Sequence, residues 1–168
     1  MLEIKIDLIY ITAQLIGFVA MACGIISFQS KRRVSILTFQ TVSNLLWVIH
    51  YLMLGAFSAV VANAIGIVRN LVYMQRGKRK FADSIFVPIF FVAAFLLSGI
   101  ITYETPFSLL PMLAMAVATV AFFVTNENLI RWMSLGIAVP WLTFGVYAGS
   151  VASVISDGTN LISIIISL

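Results

Sequence analysis

Charge is what this chain has least of: Asp, Glu, Lys and Arg make up 10% of its 168 residues, against roughly 25% in an average soluble domain. With 62% hydrophobic residues, too few polar side chains remain to cover a soluble domain of this size. The single cysteine, Cys23, sits inside an apolar run, so a disulfide framework and a thiolate metal cluster are excluded and a packing role remains. The single histidine, His50, excludes a bis-histidine haem site and lacks metal-ligating companions. There is no paired-carboxylate site, no Ser/His/Asp or Cys/His constellation and no Gly-rich phosphate loop. On this reading the chain is not an enzyme and carries neither a metal nor a cofactor.

What the chain does have is long apolar runs. A spanning helix needs about 20 mostly apolar residues. Seven runs approach that length, at 8–28, 35–54, 56–74, 84–102, 106–124, 129–148 and 150–168. The fold expected is an all-α integral membrane protein with seven transmembrane helices. The opening "MLEIKID" mixes both signs and no small-residue cleavage site follows, so the first run reads as a retained helix. Pro106 after Thr105 fits the first turn of a helix.

The breaks between runs differ in kind. "QSKRR" and "MQRGKRK" are basic, and "NENLIR" carries Arg131, whereas "LGAF", "YETPF" and "YAGS" hold no Lys or Arg. Since Lys and Arg concentrate in cytoplasmic loops, seven crossings put all three basic breaks inside and the N-terminus outside. The bacterial inner membrane is the expected location. The net charge of +4 then reports topology rather than nucleic-acid binding. Lys31, Arg32, Arg33, Arg76, Lys78, Arg79 and Lys80 are expected to meet anionic lipid headgroups.

An offset of 94 residues lays the two ends of the chain over each other without a gap. "LIGFVAMACGIISF" falls on "LLPMLAMAVATVAF", and "LLWVIHYLMLGAFSAVVANAIG" on "VPWLTFGVYAGSVASVISDGTN". The repeat divides the chain into a three-helix bundle (8–74), a linker helix with its basic loop (75–105) and a second three-helix bundle (106–168). Because three is odd, the extra helix lets both bundles enter the membrane in the same sense. The result is a 3+1+3 parallel repeat about an axis along the membrane normal.

Within each bundle the second and third helices meet at a glycine, Gly55 or Gly149. Trp47 and Asn63 each stand eight residues from Gly55, and Trp141 and Asp157 each stand eight from Gly149. At 1.5 Å rise per residue, all four lie about 12 Å below the outer surface. "SVISDGTNLISIII" can also be cut as a hairpin turning at Asp157-Gly158, but its repeat partner "ANAIG" has no turn signal, so it is read as helix. Asp157 is then an ionisable group inside a membrane helix, a functional hypothesis by default: protonated, proton-coupling or paired with a cation. Asn160 follows it by a turn, and Asn44 and His50 flank Trp47. His50 reads as a pocket-rim hydrogen bond, a pH-sensitive gate or plain packing. Arg69, nearer the basic end, reads as a snorkelling side chain.

These residues carry a resemblance. The Trp on the second helix and the Asn sixteen residues later on the third, within a 3+1+3 repeat, resemble SWEET, SemiSWEET and PQ-loop transporters. More closely, "GIISFQSKRR", "WVIHYLMLGAFSAVVANAIGIVRN" and "WLTFGVYAG" look like the bacterial inner-membrane YgjV family, assigned to that superfamily. The resemblance implies a central pocket with Trp47 and Trp141 facing a solute and Asn63 and Asp157 binding its polar groups. Two positions depart from the pattern. The Pro-Gln signature of the first helix is absent, Gly17 standing there in the first bundle and Pro111 in the second, and one of the paired Asn is Asp157. The function expected is a small-solute transporter working by alternating access, for a sugar or another small polar metabolite. Its alternatives are a vitamin or nucleoside carrier and a non-transporting sensor or assembly protein on a transporter-like fold.

Overall fold

A computed structural model describes the backbone of residues 2–122 and 127–167, and their side chains except at 2–7, 28, 127, 128, 130, 131 and 167. The 123–126 break and the side chain of Arg131 therefore lie outside the described residues. Within them the chain is all helix, with no strand. The helices are α1 (Leu2–Gln29), α2 (Arg33–Met53), α3 (Phe57–Tyr73), α4 (Phe86–Ile101), α5 (Leu110–Ala121), α6 (Glu127–Tyr147) and α7 (Val151–Ser167). Short 3₁₀ turns, Lys80–Asp83 and Pro106–Leu109, lead into α4 and α5. Pro106 opens the second of these, and the Thr105 N–H donates to Ser108 Oγ at 3.2 Å.

Helix wins over strand even where β-branched residues crowd together. In lipid a helix satisfies its backbone groups within the segment, whereas a lone strand leaves them bare. Accordingly α7 runs unbroken through Asp157-Gly158. Pro88 falls in the first turn of α4, where no intrahelical N–H is lost. Large apolar side chains are exposed along the helices: on α4, Phe86 is 75% and Ile101 82% exposed. That is a surface for hydrocarbon, not for water. The Leu8–Ser27 part of α1 and all of α2, with 20 and 21 residues, are long and apolar enough to cross a membrane. By contrast α3, α4 and α7 have 17, 16 and 17 residues.

The helices pack as a ring. In each half the middle helix contacts both its neighbours, α2 lying against α1 and α3, and α6 against α5 and α7. Contacts of α3 with α5 and of α7 with α1 close the circle, and α4 packs outside against α3 and α5. Across the centre, α2 meets α6 through aromatic rings.

Two turns define one end of this ring. Gly55 and Gly149 hold φ of 72° and 65°, and the hydrogen bonds around them repeat at the 94-residue offset. Gly55 N–H donates to Leu52 O and Ala56 N–H to Tyr51 O; Gly149 N–H donates to Val146 O and Ser150 N–H to Gly145 O. Both turns are Schellman caps, which need a left-handed residue just past the helix. Tyr10 OH donates to the Gly149 carbonyl at 3.0 Å, so the early part of α1 reaches this turn end too. The basic loops collect at the other end, where Arg76 stands over Tyr73 and pairs with Asp83 at 4.0 Å.

Beyond the adjacent residues of the chain, no described atom lies within 4 Å of a Cβ added at Gly55 or Gly149, so substitution there costs backbone strain alone. Gly55→Ala and Gly149→Ala should each destabilise by roughly 1–2 kcal/mol, and by similar amounts. Thermal unfolding of the purified variants in detergent measures both.

Candidate functional site

The polar residues of the turn end converge where α2 meets α1 and α7. His50, in the last turn of α2, is fully buried. Its Nδ1 lies 2.6 Å from the Ala13 carbonyl of α1 and its Nε2 2.7 Å from Ser150 Oγ. A carbonyl only accepts, so Nδ1 carries the proton, and in the neutral ring Nε2 accepts the Ser150 hydroxyl hydrogen. Ser150 Oγ in turn accepts the Ser153 N–H at 3.0 Å, the N-cap bond of α7. A second orphan donor of that helix start, the Ala152 N–H, is taken by Gln14 Oε1 of α1 at 2.9 Å.

One residue further on, Tyr51 OH donates to Ser153 Oγ at 2.9 Å, and Ser153 Oγ donates to Asp157 Oδ2 at 2.9 Å. The carboxylate in α7 is thereby tied, through one serine, to a tyrosine of α2. Ser150, Ser153 and Asp157 follow at i, i+3 and i+7, which puts them on one helix face. That spacing is the sequence signal by which Ser150 and Ser153 could have been found. Gly17 makes the junction possible: a Cβ there would stand 2.6 Å from Ala152 Cβ and 2.9 Å from His50 Nδ1.

Tyr51 also joins the two tryptophans. Its ring stacks against Trp47 at 5.6 Å and against Trp141 at 6.1 Å, both within 26° of parallel, and meets Phe144 edge-on at 5.8 Å. Both indoles are half-buried. Trp47, Trp141 and Asp157 are thus gathered around one side chain that the sequence reading passed over. Asn63 is buried in α3, with Nδ2 donating back to the Ala59 carbonyl of its own helix at 2.8 Å. Asn44 lies against Gly66 of α3, where an added Cβ would come 2.8 Å from its Nδ2. Asn160 is half-buried on α7, a turn beyond Asp157.

A cavity of about 310 Å³ opens at the turn end. It is lined by residues 54–58, Glu104, Ser108 and the end of α6 at Phe144 and Tyr147. Phe144 belongs both to its wall and to the aromatic cluster around Tyr51.

Arg69 does not snorkel. It is 3% exposed, on the α3 stripe Ala59, Ala62, Asn63, Gly66, Asn70 and Tyr73, whose period of three to four residues marks a buried face. A snorkelling side chain needs a lipid-facing position, and on α3 Val68 and Leu71 hold that side.

The model of a family of bacterial inner membrane proteins, Imp-YgjV, matches residues 11–168. The chain belongs to this family. No curated protein and no solved structure matches it. For this YgjV-family chain the inner membrane is therefore the setting of the cluster just described, and the all-helical fold and apolar surface agree with that setting.

Two glycines of α1 give a contrast that tests the junction. Gly17→Ala drives a methyl into Ala152 and His50 and should destabilise by about 1–3 kcal/mol. Gly24→Ala, whose Cβ meets only Ser43 Oγ at 3.7 Å, should be neutral or gain up to about 1 kcal/mol of helix propensity. Paired melting curves decide whether the sign differs.

Proposed function

We propose that this protein is a small-solute transporter of the inner membrane, in which two three-helix units rock about the seam between α2 and α7. The observation that carries the reading is the set of hydrogen bonds His50–Ser150 and Tyr51–Ser153–Asp157 between α2 and the start of α7, which Phe144 links, through its contact with Tyr51, to a cavity at the turn end. Its links are few, polar and shared between the halves, so they can exchange partners without unfolding either unit. Matching turns at the 94-residue offset and the contact ring support a parallel 3+1+3 repeat. On that reading the basic end is cytoplasmic by the positive-inside rule, and the cavity faces outward. The resemblance to SWEET-like carriers read from the sequence adds a solute site flanked by Trp47 and Trp141.

Asp157 is the proton-coupling group in this scheme. A carboxylate charged in one state and neutral in another binds Ser153 differently in each, because only the protonated form can donate. Gain or loss of one proton then reverses or breaks the Ser153–Asp157 bond and loosens the link from α7 to Tyr51. The solute class stays broad: a sugar, a nucleoside or vitamin, or another small polar metabolite. The packed aromatic level around Tyr51 favours the second reading, a sensor or assembly protein that no longer transports.

Proteoliposome uptake under an inward proton gradient, with a neutral sugar, a nucleoside and a small amine as probes, tests the proposal. Asp157→Asn should slow proton-driven uptake by about tenfold or more, equivalent to about 1.4 kcal/mol, while leaving solute exchange intact. Trp47→Ala should abolish both. Undiminished proton-driven uptake by Asp157→Asn removes the coupling role. Absence of both uptake and solute-dependent thermal stabilisation across the panel selects the sensor or assembly reading.

A further inference from the structure

Arg69 takes no part in the α2–α7 seam. It sits at a different seam between the halves, where α3 meets α5. About 21 Å of helix separates it from the Gly55 turn, which places it well within a hydrocarbon core of about 30 Å. Among the described residues its guanidinium makes four polar contacts, all to neutral acceptors. Nε and Nη2 reach Asn70 Oδ1 at 3.4 and 3.3 Å, and Nη1 reaches Met115 O at 3.4 Å and Thr119 Oγ1 at 3.1 Å. Phe95 and Phe122 lie 5.8 and 5.2 Å from its central carbon. A guanidinium that has found its anion makes bonds of about 2.7–2.9 Å; every one of these is longer.

No carboxylate among the described residues answers this charge. Asp83 is engaged by Arg76 and by the Gly77 N–H, Asp157 by Ser153, and Glu104 lines the cavity at the far end. A buried charge without a counterion is among the most costly features a membrane helix can hold. Beside it is a second anomaly. Asn70 is fully buried and its Nδ2 has no hydrogen-bond partner among the described residues. The same amide gives its oxygen to Arg69, so the unused N–H₂ group is held next to the guanidinium. One turn on, the Arg76 guanidinium stands 5.9 Å from the centre of the Tyr73 ring. Donors and positive charge thus run from the basic end inward to Arg69.

We propose that Arg69 and Asn70 form a binding site for a phosphate group, reached from the basic end past Tyr73 and Arg76. The phosphate oxygens take the unused Asn70 Nδ2 and the Nη1 hydrogens now shared between Met115 O and Thr119 Oγ1. Releasing those two acceptors frees α5 from α3, so occupancy loosens this seam. The ligand is either the phosphodiester of a phospholipid headgroup or a soluble phosphate compound; the recognition chemistry is the same. The site stands independently of transport, because binding alone is its test.

Melting of the purified protein in dodecyl maltoside, titrated with inorganic phosphate at constant ionic strength, supplies one arm. Micelles carrying phosphatidylglycerol, against micelles carrying diacylglycerol that lacks the phosphate, supply the other. Phosphate strengthens burial in any protein, so the readout is the saturable part that a variant loses. A site filled at about 100 times its Kd shifts the unfolding equilibrium about 100-fold. Asn70→Asp gives Arg69 an internal carboxylate: melting without ligand should rise and the saturable response should vanish. Asn70→Leu, which keeps Arg69 but removes the amide, should weaken binding by about tenfold or more. A response to phosphatidylglycerol alone assigns the lipid headgroup, and a response to inorganic phosphate alone assigns a soluble ligand. If neither probe gives a saturable response in the natural sequence, or both variants respond as it does, the site is overturned.

Discussion

No water reaches a polar group buried in the hydrocarbon core, so each such group must be answered by protein or stay unsatisfied. That constraint orders this molecule. Backbone groups are settled within the helices, which leaves a short list of polar side chains to find partners on neighbouring helices. They do so at the seams: His50 with Ala13 and Ser150, Tyr51 with Ser153, Arg69 with Thr119. Apolar contact between helices discriminates weakly in lipid, because lipid tails offer the same contact. Polar pairs of this kind therefore specify which helices adjoin.

The two halves share their turns but not their chemistry. At the 94-residue offset, His50 and Tyr51 fall on Phe144 and Gly145, while Ser150, Ser153 and Asp157 fall on Ala56, Ala59 and Asn63. The seam between α2 and α7 is accordingly hydrogen-bonded. Its counterpart between α6 and α3 is apolar, with Phe144 packed in one cluster with Ala59 and Ala56. Gly17 and Pro111 make the same point in the first helices. Gly17 lets α1 pass close by His50, whereas Pro111 sits in the first turn of a helix that begins only at Leu110. Of the two positions related by the 94-residue offset, 63 and 157, only the second carries a titratable carboxylate.

Much of this frame was legible before any coordinates. Apolar runs cut at polar clusters give seven helices, mostly within a few residues of their bounds, and the glycines at 55 and 149 mark the turns because no other residue suits a left-handed cap so well. Asp157 stands out as the lone carboxylate amid an apolar run. Its partners do not, since serine is unremarkable in a membrane helix until its spacing is compared with that of a neighbouring acid. Tyr51 is hidden for another reason: beside Trp47 and His50 it reads as one more interfacial aromatic, and nothing local says that its hydroxyl crosses to α7. Arg69 misled because distance from the basic loop suggests snorkelling, while the deciding fact is rotational. Only the buried stripe along α3 shows which way the side chain faces.

The modest length of several helices bears on the membrane itself. Sixteen or seventeen residues rise only about 24–26 Å, short of a hydrocarbon thickness of about 30 Å, and this holds for α3, α4 and α7. For those helices to cross, the lipid around them must compress, at a fraction of a kcal/mol for each ångström of mismatch. The penalty falls unevenly around the perimeter, since α1 and α2 are long enough to meet an undistorted leaflet. Acyl chains beside α4, the most lipid-exposed of the short helices, would then be the most deformed, which makes chain length in the host bilayer a determinant of how comfortably this protein sits.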